Sequence, residues 1–453
     1  MRKKYKEQLP LMGHTADHPH AAEMELIDKI LGKTSTIYDL ALQDLTREVQ
    51  NRETGANGMS AESRYIGIKA AILKQSQEFS YEDLAFHLVD SGCYRRFMRI
   101  GFADKGFSPS ALCGNIKALS PETWEAINRV IVAYANETKV ERGRKVRIDC
   151  TVVPSNIHKP FDSTLLWDSV RVLTRLLKHA RDLFPDIGII VKDHTKRAKR
   201  RMLGVMNAKG KKAREKQYKD LLLITGKTVG YSQRASSILE KRLPSVHAAR
   251  MVQGLNHYID LAQKVIDQTQ RRVIQGESVP APEKVVSIFE PHTDIIIKDN
   301  RDTYYGHKIC LTGGASNLML DCEILEGNPA DVTLVETMLE NQKVIYDKYP
   351  SKVSLDGGFA SKDNLKLAKG TMKIKDVCFA KKRGLNEEDM CKSSWVYKNL
   401  RNFRAGIESG ISCLKRCFGL ALCTWKTFES FKSYVWASIV SANLLTLARK
   451  QMA

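Results

Sequence analysis

The sequence lacks any apolar run long enough to cross a membrane. No stretch of about 18 uninterrupted apolar residues occurs in its 453 residues, and polar side chains interrupt the best candidate, Tyr434 to Ala448. The basic start, Met1 to Lys6, is not followed by the apolar segment of a secretory signal. We therefore expect no membrane partner and a cytoplasmic location.

Cysteine motifs, proline and glycine are also scarce. The ten cysteines include no CxxC pair, and Cys413 and Cys417 have helical spacing but no histidine neighbour that would complete a zinc site. Reduced, mostly buried thiols are predicted instead. The chain has only 13 Pro and 28 Gly, and 43% of its residues are hydrophobic. This composition excludes collagen-like and low-complexity chains.

Negative charge is in deficit. Lys and Arg number 72 against 51 Asp and Glu, which gives a formal charge of +21 and predicts a polyanionic partner. Between Lys192 and Lys219 lie 12 basic residues against Asp193 and Glu215. A solvated face is the ordinary explanation for such a run, but its density favours contact with phosphates. A second basic cluster, Tyr94 to Arg99, is mixed with aromatic residues and fits phosphate contact or an ordinary solvated helix face.

The periodicity of the chain predicts an α/β protein with long helical parts. Residues 1–60 are predicted as a polar leader with one helix from Met24 to Leu45, and 61–140 as a bundle of short helices. Alternation from Lys145 to Val152 predicts a strand. Helical periodicity at about 165–280 predicts an insertion or separate lobe. Strands are then predicted at Val285–Ile288, Ile295–Ile297, a hairpin around Gly313-Gly314, and Lys352–Leu355, with a helix between the last two.

Three acidic residues are candidates for chemistry. Asp149 lies inside the first predicted strand, where a buried carboxylate is costly unless it binds a cation. Asp356 ends the strand before Gly357-Gly358, a position that suits either a functional group facing a crevice or a turn cap. Arg404, Glu408 and Lys415 form one stripe of a predicted helix, and salt bridging on a solvated face would explain their charges.

These segments resemble bacterial insertion-sequence transposases of the DDE class, most closely the ISNCY-type group. The segment around Asp149, from Arg147 through Leu166, is similar to their first acidic segment; Asp356-Gly357-Gly358-Phe359 resembles the second; and Arg404-x3-Glu408-x6-Lys415 matches the third. Glu78 to Leu119 resembles their DNA-binding region. Related groups carry Tyr where this chain has Arg401, which puts stacking on a flipped base in doubt.

The resemblance implies a ribonuclease H-like catalytic core, a mixed sheet flanked by helices, over 141–453. It implies that Asp149, Asp356 and Glu408 hold two Mg²⁺ ions, which Mn²⁺ can replace, to cleave transposon ends and transfer strands into target DNA. We expect the protein to bind double-stranded DNA at the element ends and at the target. We also expect it to form a homodimer and to be nucleoid-associated. The predicted DNA-binding residues share positive charge: Arg404, Lys415, Arg401, Arg95, Arg96, Arg197, Lys199, Arg200, Arg201, Lys211 and Lys212.

Three other functions fit the sequence less well. A catalytically inactive, sequence-specific DNA-binding protein would use the same basic helices without metal. A metal-dependent DNA nuclease would cleave without strand transfer. An RNA-binding structural protein would explain the charge but leave Asp149 in its strand unexplained.

Overall fold

The computed structural model describes residues 18–50, 63–101, 104–298, 302–381 and 383–452. The chain forms two compact units, one from Met1–Pro154 with His307–Ala453 and the other from Ser155–Gly306. Within the described residues, no helix combines the length and the apolarity needed to cross a bilayer. The domain boundaries predicted from the sequence remain predictions.

In the described part of the chain, the first unit begins with seven helices. Serine side chains begin several of them: Ser80, Ser108 and Ser120 each accept a hydrogen bond from a backbone N–H of the first turn. The helices are α1 (Pro19–Lys33), α2 (Thr36–Gln50), α3 (Ser63–Ser76), α4 (Tyr81–Asp90), α5 (Gly92–Phe97), α6 (Pro109–Lys117) and α7 (Pro121–Glu137).

Two features of the N-terminal segment differ from the predictions. The single helix predicted from Met24 to Leu45 is two helices, because the chain turns at Thr34, whose hydroxyl donates to the carbonyl of Ile30. His20, which lies in the segment predicted as a polar leader, has a side-chain contact: its Nε2 lies 3.2 Å from the hydroxyl of Tyr94. The leader before residue 18 and the segment at 51–62 lie outside the described residues.

The centre of this unit is a mixed sheet. The sheet consists of β1 (Lys145–Pro154), β2 (Asp294–Lys298), β3 (Asp302–Gly313), β4 (Met319–Ile324), β5 (Lys352–Leu355) and β6 (Asp376–Phe379). Of these strands, β2 and the first residues of β3 belong to the segment Ser155–Gly306 of the second unit. The order is β2-β3-β1-β5-β6, and β4 also pairs with β3. β1, β5 and β6 are parallel neighbours, whereas β3 runs antiparallel to β2 and β4. The mixed sheet and its hairpin are therefore confirmed.

The helices after the sheet strands pack on this core. They are α12 (Val335–Tyr346), α13 (Lys362–Lys366), α14 (Glu387–Met390), α15 (Ser394–Cys417) and α16 (Phe428–Met452). α15 contacts β1, β5 and β6, while α16 contacts α1, α3 and α7. Ser438, Ser441 and Asn443 within the apolar run of α16 are buried with partners. The Asn443 side chain accepts from the backbone N–H of Met319 and donates to its carbonyl. Its amide also donates to Asn128.

The second unit is mostly helical. It contains α8 (Asp162–Leu183), α9 (Thr195–Asn207), α10 (Lys211–Glu240) and α11 (Val246–Thr269). The strand predicted at Val285–Ile288 is absent, so that prediction is wrong. The physical reason is that the Gln268 side chain satisfies the backbone of Val285 through two hydrogen bonds of 2.8 and 3.2 Å, where a strand neighbour would otherwise do so.

Candidate active site

Asp149 lies on β1 beside the parallel strand β5. The pairing of Ile148 with Leu355 brings Asp149 next to the chain that leaves β5 at Asp356. One carboxylate oxygen of Asp149 accepts a hydrogen bond of 2.8 Å from the N–H of Cys150. Its side chain is only 16% exposed, so the carboxylate is held in a mostly buried crevice.

Asp356 follows the last residue of β5 in extended conformation. A turn cap was the competing explanation for this residue, but its side chain makes no capping hydrogen bond to the short helix that follows. Instead, its Oδ1 lies 3.4 Å from Nη1 of Arg404. A side chain at position 358 would overlap the Asp331 carboxylate, which explains the second glycine after the acid.

Glu408 comes from α15, which is capped by Ser393, whose hydroxyl accepts a hydrogen bond from the N–H of Val396. The predicted stripe is present, since Arg404 donates to Glu408 at the i, i+4 spacing with a distance of 2.5 Å. Nη1 of the same arginine lies 3.3 Å from Oδ2 of Asp149. One guanidinium therefore contacts all three acidic residues.

The crevice holds more negative than positive charge. Burial and the nearby charge of Asp356 raise the pKa of Asp149 to about 6, although the Cys150 N–H and Arg404 oppose that shift. Within the described residues, no three His, Cys, Asp or Glu side chains lie close enough together to hold a metal ion. The carboxylates contact Arg404 instead, and the donor set is all oxygen, the type that hard divalent cations prefer.

The two glycines of α15 have a structural explanation. A Cβ at position 406 would overlap the guanidinium of Arg147, and a Cβ at position 410 would overlap the end of Met319. Sequence reasoning gave Arg147 no role, although it lies two residues before Asp149 and so on the same face of β1. The available signal was the combination of a mid-strand arginine with a glycine two residues after Arg404.

The other predicted residues of this unit are dispersed. Arg401 is exposed on α15, and Lys415 is half-buried two turns after Glu408. Arg96 is exposed on α5. Arg95 is half-buried and donates to the carbonyls of Gly101 and Asp104, so part of its hydrogen-bonding capacity is used within its own loop.

The basic run of the second unit divides into two groups. Arg197 and Arg201 of α9 both pair with Asp220 of α10 and hold these helices together. Lys199 lies over the Trp167 ring at 6.0 Å. Exposed side chains on the same helices include Arg200, Lys211 and Lys212.

Comparison with known proteins gives one match. A family model described as the transposase DDE domain matches residues 273–444, a segment that includes Asp356, Arg404, Glu408 and Lys415 but not Asp149. Comparisons with curated proteins and with solved structures found no match. The ISNCY-type group stays a prediction. Residues 273–444 are therefore similar to the transposase DDE domain, which agrees with the resemblance of this chain to insertion-sequence DDE transposases.

Proposed function

We propose that this protein cleaves the ends of a DNA element and joins them to target DNA at a site formed by Asp149, Asp356 and Glu408. The observation that carries the proposal is the contact of these three acids with one guanidinium, that of Arg404, beside a sheet of mixed strands. The ribonuclease H-like description of the core is part of this proposal, as are a homodimer that holds two ends and a cytoplasmic, nucleoid-associated location.

The donor set fits divalent cations. Three carboxylates face a single arginine, and Asp149 has a raised pKa because it is buried near another acid, so a cation would relieve both effects. We propose that the three acids hold two Mg²⁺ or Mn²⁺ ions. When bound, such ions activate water for attack on a phosphodiester and stabilise charge on the departing oxygen.

The protein's own groups would position the DNA. Asp149 and Asp356 are fixed by neighbouring parallel strands, so their carboxylates keep their spacing while Glu408 approaches from α15. In the cation-bound site, Arg404 would be available to donate to a phosphate, with Lys415 further along the same helix. Arg401 would contact the DNA backbone rather than stack on a base. In the other unit, Arg200, Lys211 and Lys212 would contact phosphates as well.

The test uses a supercoiled plasmid that carries the gene with its natural flanking sequence. Wild-type protein with Mg²⁺ or Mn²⁺ should nick the plasmid at defined positions and produce joined products, and EDTA should abolish both. Asp356→Asn should eliminate cleavage and leave DNA binding nearly intact. Cleavage by Asp356→Asn at the wild-type rate would refute the site.

Two other outcomes identify the competing functions. Defined cleavage without joined products would indicate a nuclease. Salt-sensitive binding without cleavage under any metal would indicate an inactive DNA-binding protein.

A further inference from the structure

Arg147 joins the first catalytic strand to the helix that carries Arg404 and Glu408. Its Nη1 donates a 3.0 Å hydrogen bond to the carbonyl of Phe403, the residue immediately before Arg404. Its guanidinium carbon also lies 4.6 Å from the centre of the Phe403 ring. Nη2 donates to the side chain of Asn317 in the turn between β3 and β4. One side chain of β1 therefore contacts both α15 and the hairpin turn.

This arginine is placed at an energetic cost. It is 4% exposed, and burial lowers the pKa of its guanidinium, a shift that the charge of Glu141 only partly opposes. Its Nε has no hydrogen-bond partner among the residues that the structure describes. Buried charges are normally paired, and an apolar side chain would fill this position of a strand more cheaply. The arginine therefore requires an explanation other than fold stability.

Two backbone positions make room for the guanidinium. A Cβ at position 406 would overlap Nη1, and a Cβ at position 313 would lie 3.3 Å from Nε and 2.8 Å from Cδ1 of Ile407. Both positions are glycine, one inside α15 and one at the end of β3. Glycine in a helix interior weakens the helix relative to alanine, so position 406 accepts a local cost that admits Arg147.

We propose that Arg147 is a positioning residue that sets the distance and rotation of α15 relative to β1, and thereby places Arg404 and Glu408 opposite Asp149. The inference rests on the proposed function for its catalytic consequence. Arg147 and Asp149 lie on the same face of β1. Arg147 donates to Phe403, and the next residue of α15, Arg404, contacts the acids. Arg147 therefore anchors the helical turn that carries the site.

The test compares Arg147→Met with Arg147→Lys in the full-length protein. In Arg147→Met, plasmid cleavage should fall by about 10- to 100-fold, as for other groups that orient catalytic ligands, while plasmid binding is unchanged. Amide hydrogen exchange in residues 403–408 should rise by about tenfold, since one anchoring hydrogen bond is lost, with no change in α7 or α16. Arg147→Lys keeps the charge and a donor to Phe403, so it should recover part of both properties.

A pair of glycine variants in the same helix is the matched control. Gly406→Ala and Gly410→Ala gain the same helix propensity, but only the first meets the guanidinium; the second meets the flexible end of Met319. Gly406→Ala should reproduce the effects of Arg147→Met, and Gly410→Ala should behave like wild type. Because these variants favour the helix, they keep the test decisive if Arg147→Met fails to fold.

The outcomes separate this inference from the proposed function. If Arg147→Met and Gly406→Ala both cleave the plasmid and exchange their amide hydrogens as the wild type does, the positioning role of Arg147 is overturned. Increased exchange throughout the unit, in α7 and α16 as well as α15, would also overturn it in favour of general stability. A wild-type protein that never cleaves would refute the proposed function, and the exchange measurements would still decide whether Arg147 anchors α15.

Discussion

The charge of Asp149 should destabilise the protein when divalent ions are absent. The folded-state pKa of this residue is raised to about 6 from an ordinary value of 3.8. At about 1.4 kcal/mol per pKa unit, ionising Asp149 at pH 8 costs the folded state up to about 3 kcal/mol. Because the folded pKa lies above the unfolded one, the protonated Asp149 contributes stability that is fully present below pH 3.8. That contribution is lost as the pH rises through about 6.

Asp149→Asn imitates the protonated acid and should therefore stabilise the protein at pH 8 in EDTA. We expect a gain of about 1–2 kcal/mol rather than 3, because the amide cannot accept from Arg404 as the carboxylate does. At pH 4.5 the gain should be much smaller. Thermal unfolding at both pH values measures the difference.

Asp193→Asn provides a control of opposite sign. Hydrogen bonds from Lys178 and Thr195 lower the pKa of Asp193, so removing this carboxylate should destabilise the protein at neutral pH. A destabilised Asp149→Asn at pH 8, or a gain equal at both pH values, would contradict the assignment of Asp149 as a buried, strained acid.

Three further predictions concern metal, DNA and the core. Mg²⁺ at 100 times its dissociation constant should stabilise the wild type by about 2.7 kcal/mol, measured by thermal unfolding, and Asp356→Ala should lose most of that gain. Replacing Arg200, Lys211 and Lys212 by Ala should lower the slope of log affinity against log salt by about 0.9 per lost phosphate contact, and an unchanged slope would exclude them from the interface. Asn443→Leu should cost at least about 2 kcal/mol in chemical denaturation, because it leaves the Met319 backbone unpaired in the core, and a neutral result would contradict that network.

The parts of the site that local pattern controls were predictable from the sequence. Alternating apolar and polar residues predict β1 around Asp149, and the strand before Asp356 begins and ends where the pattern indicates. The stripe of Arg404 and Glu408 follows from helical spacing alone. These features depend on neighbours within a few residues, which a single sequence contains.

Features that depend on distant partners were not predictable. Val285–Ile288 has the composition of a strand, but the Gln268 side chain of α11 occupies the backbone N–H and carbonyl of Val285. Arg197 and Arg201 were grouped with the other basic residues because nothing local indicates their pairing with Asp220. Arg147 likewise depends on contacts 170 and 256 residues away in the chain.

The proposed active site differs in charge from the chain as a whole. The chain as a whole carries a formal charge of +21, which favours a polyanionic partner such as DNA. At the proposed active site the balance is reversed, since three acids contact a single arginine. DNA alone cannot relieve that excess because phosphate adds more negative charge. A bound cation would neutralise the acids and the phosphate together, so DNA and metal should each strengthen binding of the other at this site.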